Sequence, residues 1–200
     1  MIRILLAEDQ GLMRSSLVTL LSLEPDLEVD AVGDGDSALE RLREGDYQVA
    51  LLDIQLPGQS GLDVIRAVRD ERLEVRCVVV TTFPRPGYVR RAMDDGAAGF
   101  LVKDRPIDEL TAAIRAVAAG GTVIDEGLAV QALRLPPNPL SAREIEVLNA
   151  AHDGSTINDI AASLHLSAST ARNYLSAAIQ KLDAANRAEA RYRAEQNGWL

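Results

Sequence analysis

Residues 49–61 read VALLDIQLPGQSG, and this stretch decides the fold of the first part of the chain. Its first four residues are a continuous apolar run, which is typical of a strand covered on both faces in a parallel sheet. The run ends at Asp53, and Leu56-Pro57-Gly58 then predicts a turn. Ligands bind at the C-terminal ends of such strands, so Asp53 is a candidate site residue. Taken alone, the stretch also fits an aspartate that caps the following loop.

Residues 2–120 alternate short apolar runs with amphipathic segments of helical period. The strand candidates are residues 3–7, 27–32, 49–54, 75–80 and 99–102, and the helix candidates are about 11–23, 35–44, 60–71, 86–95 and 106–119. Five strand–helix units with short connections predict an α/β fold, a doubly wound five-stranded parallel sheet with helices on both faces.

The domain organisation follows from where this alternation stops. Residues 121–139 lose the periodicity and end in Pro-Pro-Asn-Pro, which indicates a linker. Beyond it no strand signal occurs, and residues 141–144 and 156–159 both fit the capping box of a helix start. A turn of helix-turn-helix length follows at 164–167. We therefore predict an α/β domain over 1–121, a linker over 122–138 and a small all-helical domain over 139–200.

Composition and charge exclude several classes of protein. The chain is 47% hydrophobic and 26% charged, as in globular proteins. No apolar run approaches the ~20 residues of a membrane span and the N-terminus turns acidic too early for a signal peptide, so we expect no membrane insertion. The lone Cys77 indicates a core residue in a reducing cytoplasm.

The net charge of −9 falls on residues 1–126, which argues against nucleic-acid binding there. Lysine occurs only at 103 and 181, against 19 arginines, so each is a candidate position that arginine cannot fill.

Polar residues follow or close four of the five predicted strands. They are Glu8 and Asp9 after the first strand, Asp53 after the third, Thr81 after the fourth and Lys103 after the fifth. Three close carboxylates call for a hard divalent cation, so we expect Mg²⁺. A metal, a nucleophilic carboxylate, a hydroxyl and a fixed ammonium together suit phosphoryl transfer. Taken singly, each residue also fits an ordinary helix cap, strand end or solvated charge.

Together with the turn after Asp53, these residues resemble the receiver domain of bacterial response regulators over residues 2–120. The resemblance implies that Asp53 accepts a phosphoryl group from a sensor histidine kinase or a small phosphodonor. It also implies that Asp9, Asp53 and the backbone carbonyl of Gln55 bind Mg²⁺ directly, with Glu8 acting through water.

The resemblance assigns two further roles at this site. Lys103 pairs with one phosphoryl oxygen and Thr81 hydrogen-bonds another. Phe100 occupies the switch aromatic position and turns inward as Thr81 moves, and the alternative is a plain core aromatic. One departure is Asp104, where the family usually has a proline in a cis peptide. Because a non-proline cis bond costs about 2.5–4 kcal/mol, the departure argues against a cis bond here.

Residues 140–200 resemble the LuxR-type helix-turn-helix of the NarL/FixJ response regulators, through LSAREIEVL at 140–148 and DIAASLHLSASTARNYLSAAIQKLDAANR at 159–187. The resemblance implies that the third helix, about 168–181, enters the major groove of a double-stranded DNA operator. The resemblance also implies, by matching positions, which residues contact the DNA. The residues that face base edges are Arg172, Asn173 and Ser176, and those that contact phosphates are Ser169, Thr170 and Lys181. The last helix, with Arg187 and Arg191, carries the dimer contact in this family.

Some features of the helical segment depart from the family pattern. Ala171, Tyr174 and Asp183 replace the usual valine, histidine and glycine. The segment is slightly acidic, which predicts weak and salt-sensitive non-specific DNA affinity, and a helical dimerisation module without DNA binding is the alternative. The Arg-Asn-Tyr triplet at 172–174 and the final Asn-Gly-Trp-Leu resemble the DesR-type subgroup, which answers a membrane kinase and controls lipid desaturation.

We predict a phosphorylation-dependent transcription regulator, not an enzyme, whose targets include membrane-lipid genes. Phosphorylation of Asp53 shifts the population toward a homodimer that places two recognition helices about one DNA turn apart. The alternative is a constitutive or partner-controlled transcription factor, which the Lys103-Asp104 turn supports. A phosphatase or phosphotransferase is disfavoured because no separate hydrolytic nucleophile or base occurs, and His152 and His165 lie in the helical segment.

Overall fold

The computed structural model describes residues 1–82, 84–152 and 154–200 of the chain. These residues form two compact units. The first unit comprises Met1–Pro84 and Val89–Val130, and the second comprises Arg85–Tyr88 and Gln131–Leu200. The predicted domain boundaries at 121 and 139 stay a prediction.

Strands and helices alternate along the first part of the chain, as the sequence predicts. The strands are β1 (Ile2–Ala7), β2 (Leu27–Val32), β3 (Val49–Leu52), β4 (Arg76–Thr81), β5 (Gly99–Val102) and β6 (Val123–Ile124). The helices are α1 (Gly11–Leu21), α2 (Gly35–Glu44), α3 (Gly61–Glu71), α4 (Pro86–Asp94), α5 (Ile107–Ala118) and α6 (Glu126–Arg134).

The strands form one parallel sheet in the order β2-β1-β3-β4-β5-β6. The predicted doubly wound α/β class is confirmed, whereas the predicted number of five strands is one too few. The sixth strand is only two residues long, Val123 and Ile124, and pairs with Gly99 and Phe100 of β5. A two-residue strand has no hydrophobic period to detect, so its pairing with β5 is a tertiary effect. Strand β6 and helix α6 both lie in the segment predicted as a linker.

The core of the first unit surrounds β3, which is the apolar run that precedes Asp53. All four residues of β3 have 0% exposed surface. Leu51 packs in one cluster with Leu6 of β1 and Val78 of β4, so the strand is covered on both faces, as a continuous apolar run in a parallel sheet predicts. Cys77 is also buried, and the burial raises the pKa of its thiol to about 12.

The turn after β3 brings α3 close to the main chain of Asp53. Ser60 caps α3 by accepting a hydrogen bond from the Asp63 amide, and the Asp63 carboxylate accepts one from the Ser60 amide. Gly61 begins the helix, and a Cβ atom at this position would lie 2.0 Å from the carbonyl oxygen of Asp53. Only glycine allows so close an approach, and this approach fixes the loop that carries Asp53.

The second unit contains four helices with the predicted starts. They are α7 (Ala142–Ala150), α8 (Ile157–Ser163), α9 (Ala168–Lys181) and α10 (Arg187–Gln196). The predicted capping boxes of α7 and α8 are present, and Ser167 caps α9 by accepting from the Thr170 amide. His165 adopts a left-handed backbone conformation in the turn between α8 and α9. Within the described residues, no helix has both the length and the apolar character that a membrane span requires.

We predict that Leu51→Ala destabilises the first unit by about 2–5 kcal/mol, because it opens a cavity at a fully buried position of the central sheet. The measurement is urea unfolding of the full chain followed by far-ultraviolet circular dichroism. Leu23→Ala is the control, since Leu23 is 74% exposed and its loss should change the free energy by less than ~0.5 kcal/mol. Equal effects of the two substitutions would contradict the description of β3 as the core strand.

Candidate functional site

Two neighbouring strands of the sheet end in acidic residues at the same edge. Ala7, the last residue of β1, is paired with Leu52, the last residue of β3. Glu8 and Asp53 follow directly, and the Asp53 amide donates a hydrogen bond to the carbonyl of Ala7 at 3.0 Å. Carboxylate oxygens of Glu8, Asp9 and Asp53 lie within 4.8 Å of one another. The parallel register therefore brings Asp53 close to Glu8 and Asp9, which lie far from it along the chain.

The burial of these acids is uneven. Glu8 is 1% exposed and Asp53 is 6% exposed, whereas Asp9 faces solvent. A charge costs free energy when it leaves water unless a partner compensates it. The two buried carboxylates therefore need positive charge, and the exposed Asp9 leaves one side of the cluster open to water.

Lys103 supplies one of these positive charges. Its ammonium donates a hydrogen bond to Asp53 Oδ2 at 2.6 Å and another to Glu8 Oε2, and its side chain is 4% exposed. Burial lowers the pKa of Lys103, but the hydrogen bonds to Asp53 and Glu8 outweigh this effect and raise its pKa. The ammonium is thus kept charged between the two buried carboxylates. With Asp9 included, three acids face one lysine, and negative charge remains in excess.

Thr81 lies on β4 and Phe100 on β5, the two strands that precede Lys103 in the chain. Thr81 ends β4 with 2% of its surface exposed, and the Lys103 amide donates to its carbonyl at 2.9 Å. Phe100 is fully buried on β5, next to Val79 of β4 in the register. Thr81 and Phe100 are therefore both buried residues of the sheet. Their roles as phosphoryl ligand and switch stay predictions.

The residues at this edge fit a magnesium ion. Mg²⁺ prefers oxygen ligands, takes few of them from protein and keeps several waters. The cluster offers the carboxylates of Glu8, Asp9 and Asp53 with an excess of negative charge. The amide of Gln55 lies 3.4 Å from Asp53 Oδ1, so the main chain of Gln55 is close to this cluster. The described residues contain no cis peptide, in line with Asp104 following Lys103.

Arg14 is a neighbour of this cluster that the sequence analysis did not identify. Its guanidinium Nη1 donates to the carbonyl of Glu8 at 2.6 Å and is 3.3 Å from the carbonyl of Asp9. An arginine one turn into a helix is common, so the sequence carried no signal for these contacts.

In the second unit, α9 has one packed face and one polar face. Ala171 and Ala178 are 0% exposed on the packed face. The residues predicted to read base edges are all exposed, namely Arg172, Asn173 and Ser176. Ser169 is exposed near the start of the helix, and the hydroxyl of Thr170 is 2.8 Å from that of Ser167. The arrangement gives a helix surface that is free to enter a groove.

Lys181, predicted to contact phosphate, makes an internal ion pair instead of extending freely. Its ammonium lies 2.8 Å from Glu144 Oε2, and the side chain of Glu144 is 7% exposed. Burial raises the pKa of Glu144, but the hydrogen bonds from Lys181 and Ser141 outweigh this effect and lower its pKa. A contact of Lys181 with phosphate stays a prediction. Sequence reasoning missed its structural partner because the two residues are 37 positions apart.

Arg187 and Arg191, which the family resemblance places at a dimer contact, bind main-chain oxygens inside the second unit. Arg187 donates to the carbonyl of Ser155 at 2.6 Å, and Arg191 donates to that of Asn149 at 2.8 Å. Both arginines therefore help to fasten α10 to its own unit.

Comparison with known proteins identifies the family to which each of the two parts of the chain is similar. Residues 4–115 match the response regulator receiver domain, and residues 138–194 match the bacterial regulatory proteins of the luxR family. The chain belongs to the two-component response regulators of the LuxR type. This response regulator is 41% identical to the transcriptional regulatory protein YvfU and 38% identical to the transcriptional regulatory protein DesR, both of Bacillus subtilis (strain 168). Each alignment covers 100% of both chains.

A solved structure supports the same family assignment. The DNA-binding response regulator of the LuxR family from Staphylococcus aureus is 34% identical, with a TM-score of 0.57. The match covers 59% of this response regulator and 99% of that chain. The response regulator is therefore a transcription regulator, as its relatives are, and the resemblance to both families is confirmed. Its receiver implies a histidine kinase as partner, and its LuxR-type domain binds DNA.

We predict that Glu144→Gln destabilises the DNA-binding domain by about 1 kcal/mol at pH 7. Glutamine keeps an acceptor for the Ser141 amide but loses the ion pair with Lys181. Because the side chain of Lys181 is 43% exposed, water screens this ion pair, and the loss of stability lies at the low end of the range for charged hydrogen bonds. Because the folded-state pKa of Glu144 lies below its ordinary value of 4.5, this stabilisation is present above pH 4.5 and is lost as pH falls through the folded pKa.

The measurement is urea unfolding followed by the fluorescence of Trp199, which packs against the core of this domain. The difference between wild type and variant should narrow below pH 4.5. The control is Glu146→Gln on the same helix, since Glu146 is 45% exposed and pairs only with the surface residue Arg143 among the ion pairs described. A difference that is constant with pH would rule out the ion pair as its source.

Proposed function

We propose that transfer of a phosphoryl group to Asp53 controls DNA binding by this response regulator. A sensor histidine kinase is the proposed donor, and a small phosphodonor is the chemical substitute. The observation that carries the proposal is the buried ammonium of Lys103, which holds Asp53 and Glu8 at the ends of three strands. Such a group can hold a carboxylate before transfer and a phosphoryl oxygen after it.

In the proposed reaction, a carboxylate oxygen of Asp53 attacks the phosphorus atom and the bond to the donor nitrogen or oxygen breaks. The product is an acyl phosphate that carries more negative charge than the carboxylate it replaces. Lys103 then pairs with one phosphoryl oxygen, and the hydroxyl of Thr81 donates to another. Lys103 holds the Asp53 carboxylate, which is the nucleophile of this step, through a hydrogen bond of 2.6 Å to Oδ2.

We propose that Asp9, Asp53 and the Gln55 carbonyl hold Mg²⁺ directly, while Glu8 acts through water. When bound, Mg²⁺ supplies positive charge that offsets the repulsion between the phosphoryl oxygens and the acids. The excess of negative charge at this edge and the solvent exposure of Asp9 support this role. The protein's own contribution is to orient the acids and to exclude water from the buried side of the site.

Phosphorylation is proposed to act on DNA binding through a homodimer. Thr81 moves toward the phosphoryl group, and Phe100 fills the space beneath it, which favours a receiver surface that self-associates. The change is a shift between existing populations, so the unphosphorylated protein retains weak activity. A dimer presents two copies of α9 to half-sites about one DNA turn apart.

The proposed DNA contacts follow the exposed face of α9. Arg172 can read guanine and Asn173 adenine, each with two hydrogen bonds, and Ser176 lies one turn further along this face. Ser169, Thr170 and Lys181 are proposed to contact phosphates, with Lys181 giving up part of its pairing with Glu144. A DNA target requires a cytoplasmic location. The Arg-Asn-Tyr triplet and the 38% identity with DesR support membrane-lipid genes as targets.

A constitutive or partner-controlled transcription factor is the second candidate. The observation that favours it is the pair of hydrogen bonds from Lys103 to Asp53 and Glu8, which stabilises the receiver without a phosphoryl group. Asp104, next to this lysine, adds negative charge that opposes an incoming phosphoryl group. In this case the receiver is a stable fold and not a switch.

We predict that wild-type protein gains one phosphoryl group when it is incubated with acetyl phosphate and Mg²⁺, and that Asp53→Asn gains none. An asparagine side chain has no ionised oxygen to attack phosphorus, while its shape preserves the site. Intact-mass spectrometry is the measurement, and chelation of Mg²⁺ should slow the reaction. An adduct on both proteins would show that another residue is the acceptor.

DNA binding by wild type and by Asp53→Ala separates the two candidate functions. If phosphorylation controls DNA binding, Asp53→Ala treated with phosphodonor binds DNA as weakly as untreated wild type. Tight binding by Asp53→Ala, equal to that of phosphorylated wild type, would favour the constitutive regulator.

We predict that Arg172→Ala weakens binding to the specific DNA site by about 5- to 150-fold, because one bidentate base contact is worth about 1–3 kcal/mol. The probe is a duplex that wild-type protein enriches from a random pool, and the measurement is fluorescence anisotropy. The control is Arg143→Ala, which removes an exposed arginine from α7. Similar losses for both variants would indicate general electrostatics in place of base reading.

A further inference from the structure

We infer that Arg14 is a positioning residue for the magnesium site, acting through the main chain that carries Glu8 and Asp9. The inference rests on the proposed function, since it concerns the binding of Mg²⁺ by this acidic edge. It goes further because Arg14 supplies no ligand atom. The residue is instead proposed to set how well two of the acids are arranged before the ion arrives.

The need for such a residue follows from strand geometry. Side chains of consecutive residues in a strand point to opposite faces. Glu8 and Asp9 are consecutive, yet their carboxylates both lie within 4.8 Å of that of Asp53. The main chain must therefore leave the extended form directly after β1, and it bends at Asp9. Two acids converge only as long as this bend is held.

The start of α1 provides little to hold the bend. Gln10 is the N-cap residue, but its side chain makes no capping hydrogen bond, and no acidic residue occupies the first turn. The Gln10 amide makes a 3.2 Å contact with the carboxylate of Glu8. A helix start without a side-chain cap leaves main-chain groups to be satisfied in other ways.

Arg14 reaches back from α1 to the bend. Its Nη1 donates to the carbonyl of Glu8 at 2.6 Å and lies 3.3 Å from the carbonyl of Asp9. One guanidinium thus contacts the main chain of both acids. Charge-assisted hydrogen bonds from a planar guanidinium are directional, so these contacts restrict the orientation of the two peptide groups.

Gly33 forms the other side of the space that holds this guanidinium. A Cβ atom at position 33 would lie 3.0 Å from Nη1 of Arg14 and 3.6 Å from its Cζ. Gly33 directly follows β2, whose last residue, Val32, is paired with Ala7 of β1. Its φ angle is outside the left-handed region, so alanine fits the backbone and acts only by pushing on Arg14.

The charge of Arg14 and its hydrogen bonds have opposite effects on a cation nearby. A positive guanidinium repels Mg²⁺, whereas an ordered bend favours it. Arg14→Lys keeps the charge but replaces the planar fork by a single ammonium, so it isolates the positioning effect. Gly33→Ala keeps the arginine itself and displaces only its guanidinium. Arg14→Lys changes the donor group and Gly33→Ala changes the space that holds it, so both substitutions test the hydrogen bonds from Arg14 to the main chain of Glu8 and Asp9.

The experiment is calorimetric titration of the full chain with Mg²⁺ in the absence of phosphodonor. Arg14→Lys is expected to raise the Mg²⁺ dissociation constant by about fivefold, and Gly33→Ala by about twofold, because a displaced charge-assisted hydrogen bond is only partly lost. The control is Arg43→Lys, since Arg43 pairs with Glu71 on the outer surface of α2 and α3. Its dissociation constant should equal that of wild type.

A second readout needs no metal. Amide hydrogen exchange at Asp9 and Gln10 in metal-free protein should be faster in Arg14→Lys than in wild type and Arg43→Lys, since the bend is less firmly held. In phosphorylation assays, Arg14→Lys should need more Mg²⁺ for the half-maximal rate and should reach the wild-type rate at saturation. A merely structural role would also lower the phosphorylation rate at saturating Mg²⁺.

The outcomes separate this inference from the proposed function. Wild-type affinity and wild-type exchange in both Arg14→Lys and Gly33→Ala would overturn the inference alone. Absence of Mg²⁺ binding by wild-type protein would overturn the magnesium site itself, and the inference with it. If Arg14→Lys fails to fold, the Mg²⁺ affinity and amide exchange of Gly33→Ala test the inference, because this variant retains every charged residue of the site.

Discussion

A buried ammonium between two buried carboxylates is the interaction on which the receiver site depends. The side chains of Lys103, Glu8 and Asp53 are each less than 8% exposed, so each charge has given up most of its hydration. Removal of Lys103 would leave two buried carboxylates without a compensating charge, and breaking a buried ion pair in this way typically costs about 3–5 kcal/mol. One ammonium also cannot neutralise three acids. The same interaction that stabilises the site therefore keeps it short of positive charge and ready for a cation.

The parallel sheet is what makes this arrangement possible. Glu8, Asp53 and Lys103 come from segments about 50 positions apart, and each follows directly after a strand. Because all strands run in one direction, their ends meet at a single edge, while their apolar residues fill the core behind it. Chemistry and stability are thereby separated in space. The close approach at Gly61 then fixes the loop after Asp53 without adding a side chain to the site.

Both lysines of the chain pair with buried carboxylates, whereas the chain contains 19 arginines. Lys103 bridges Asp53 and Glu8, and Lys181 binds Glu144 under α9. An ammonium is a compact point charge that donates in three directions, whereas a guanidinium is a larger planar fork. That arginine cannot fill these two positions stays a prediction. For Lys181, the structure supplies a partner that a role in phosphate binding alone did not suggest.

The sequence by itself determined the strand–helix alternation, the buried β3, the acids at the strand ends and the capped helices of the DNA-binding domain. These features are local, because hydrophobic period, capping boxes and strand-end residues are written in neighbouring positions. Only the tertiary structure decided the sixth strand, the partner of Lys181 and the contacts of Arg14. Each of these depends on groups brought together by the packed fold, such as β5 pairing with a two-residue β6. Such pairings leave no periodic trace in the sequence, since their free energy comes from a surface that exists only after the chain has folded.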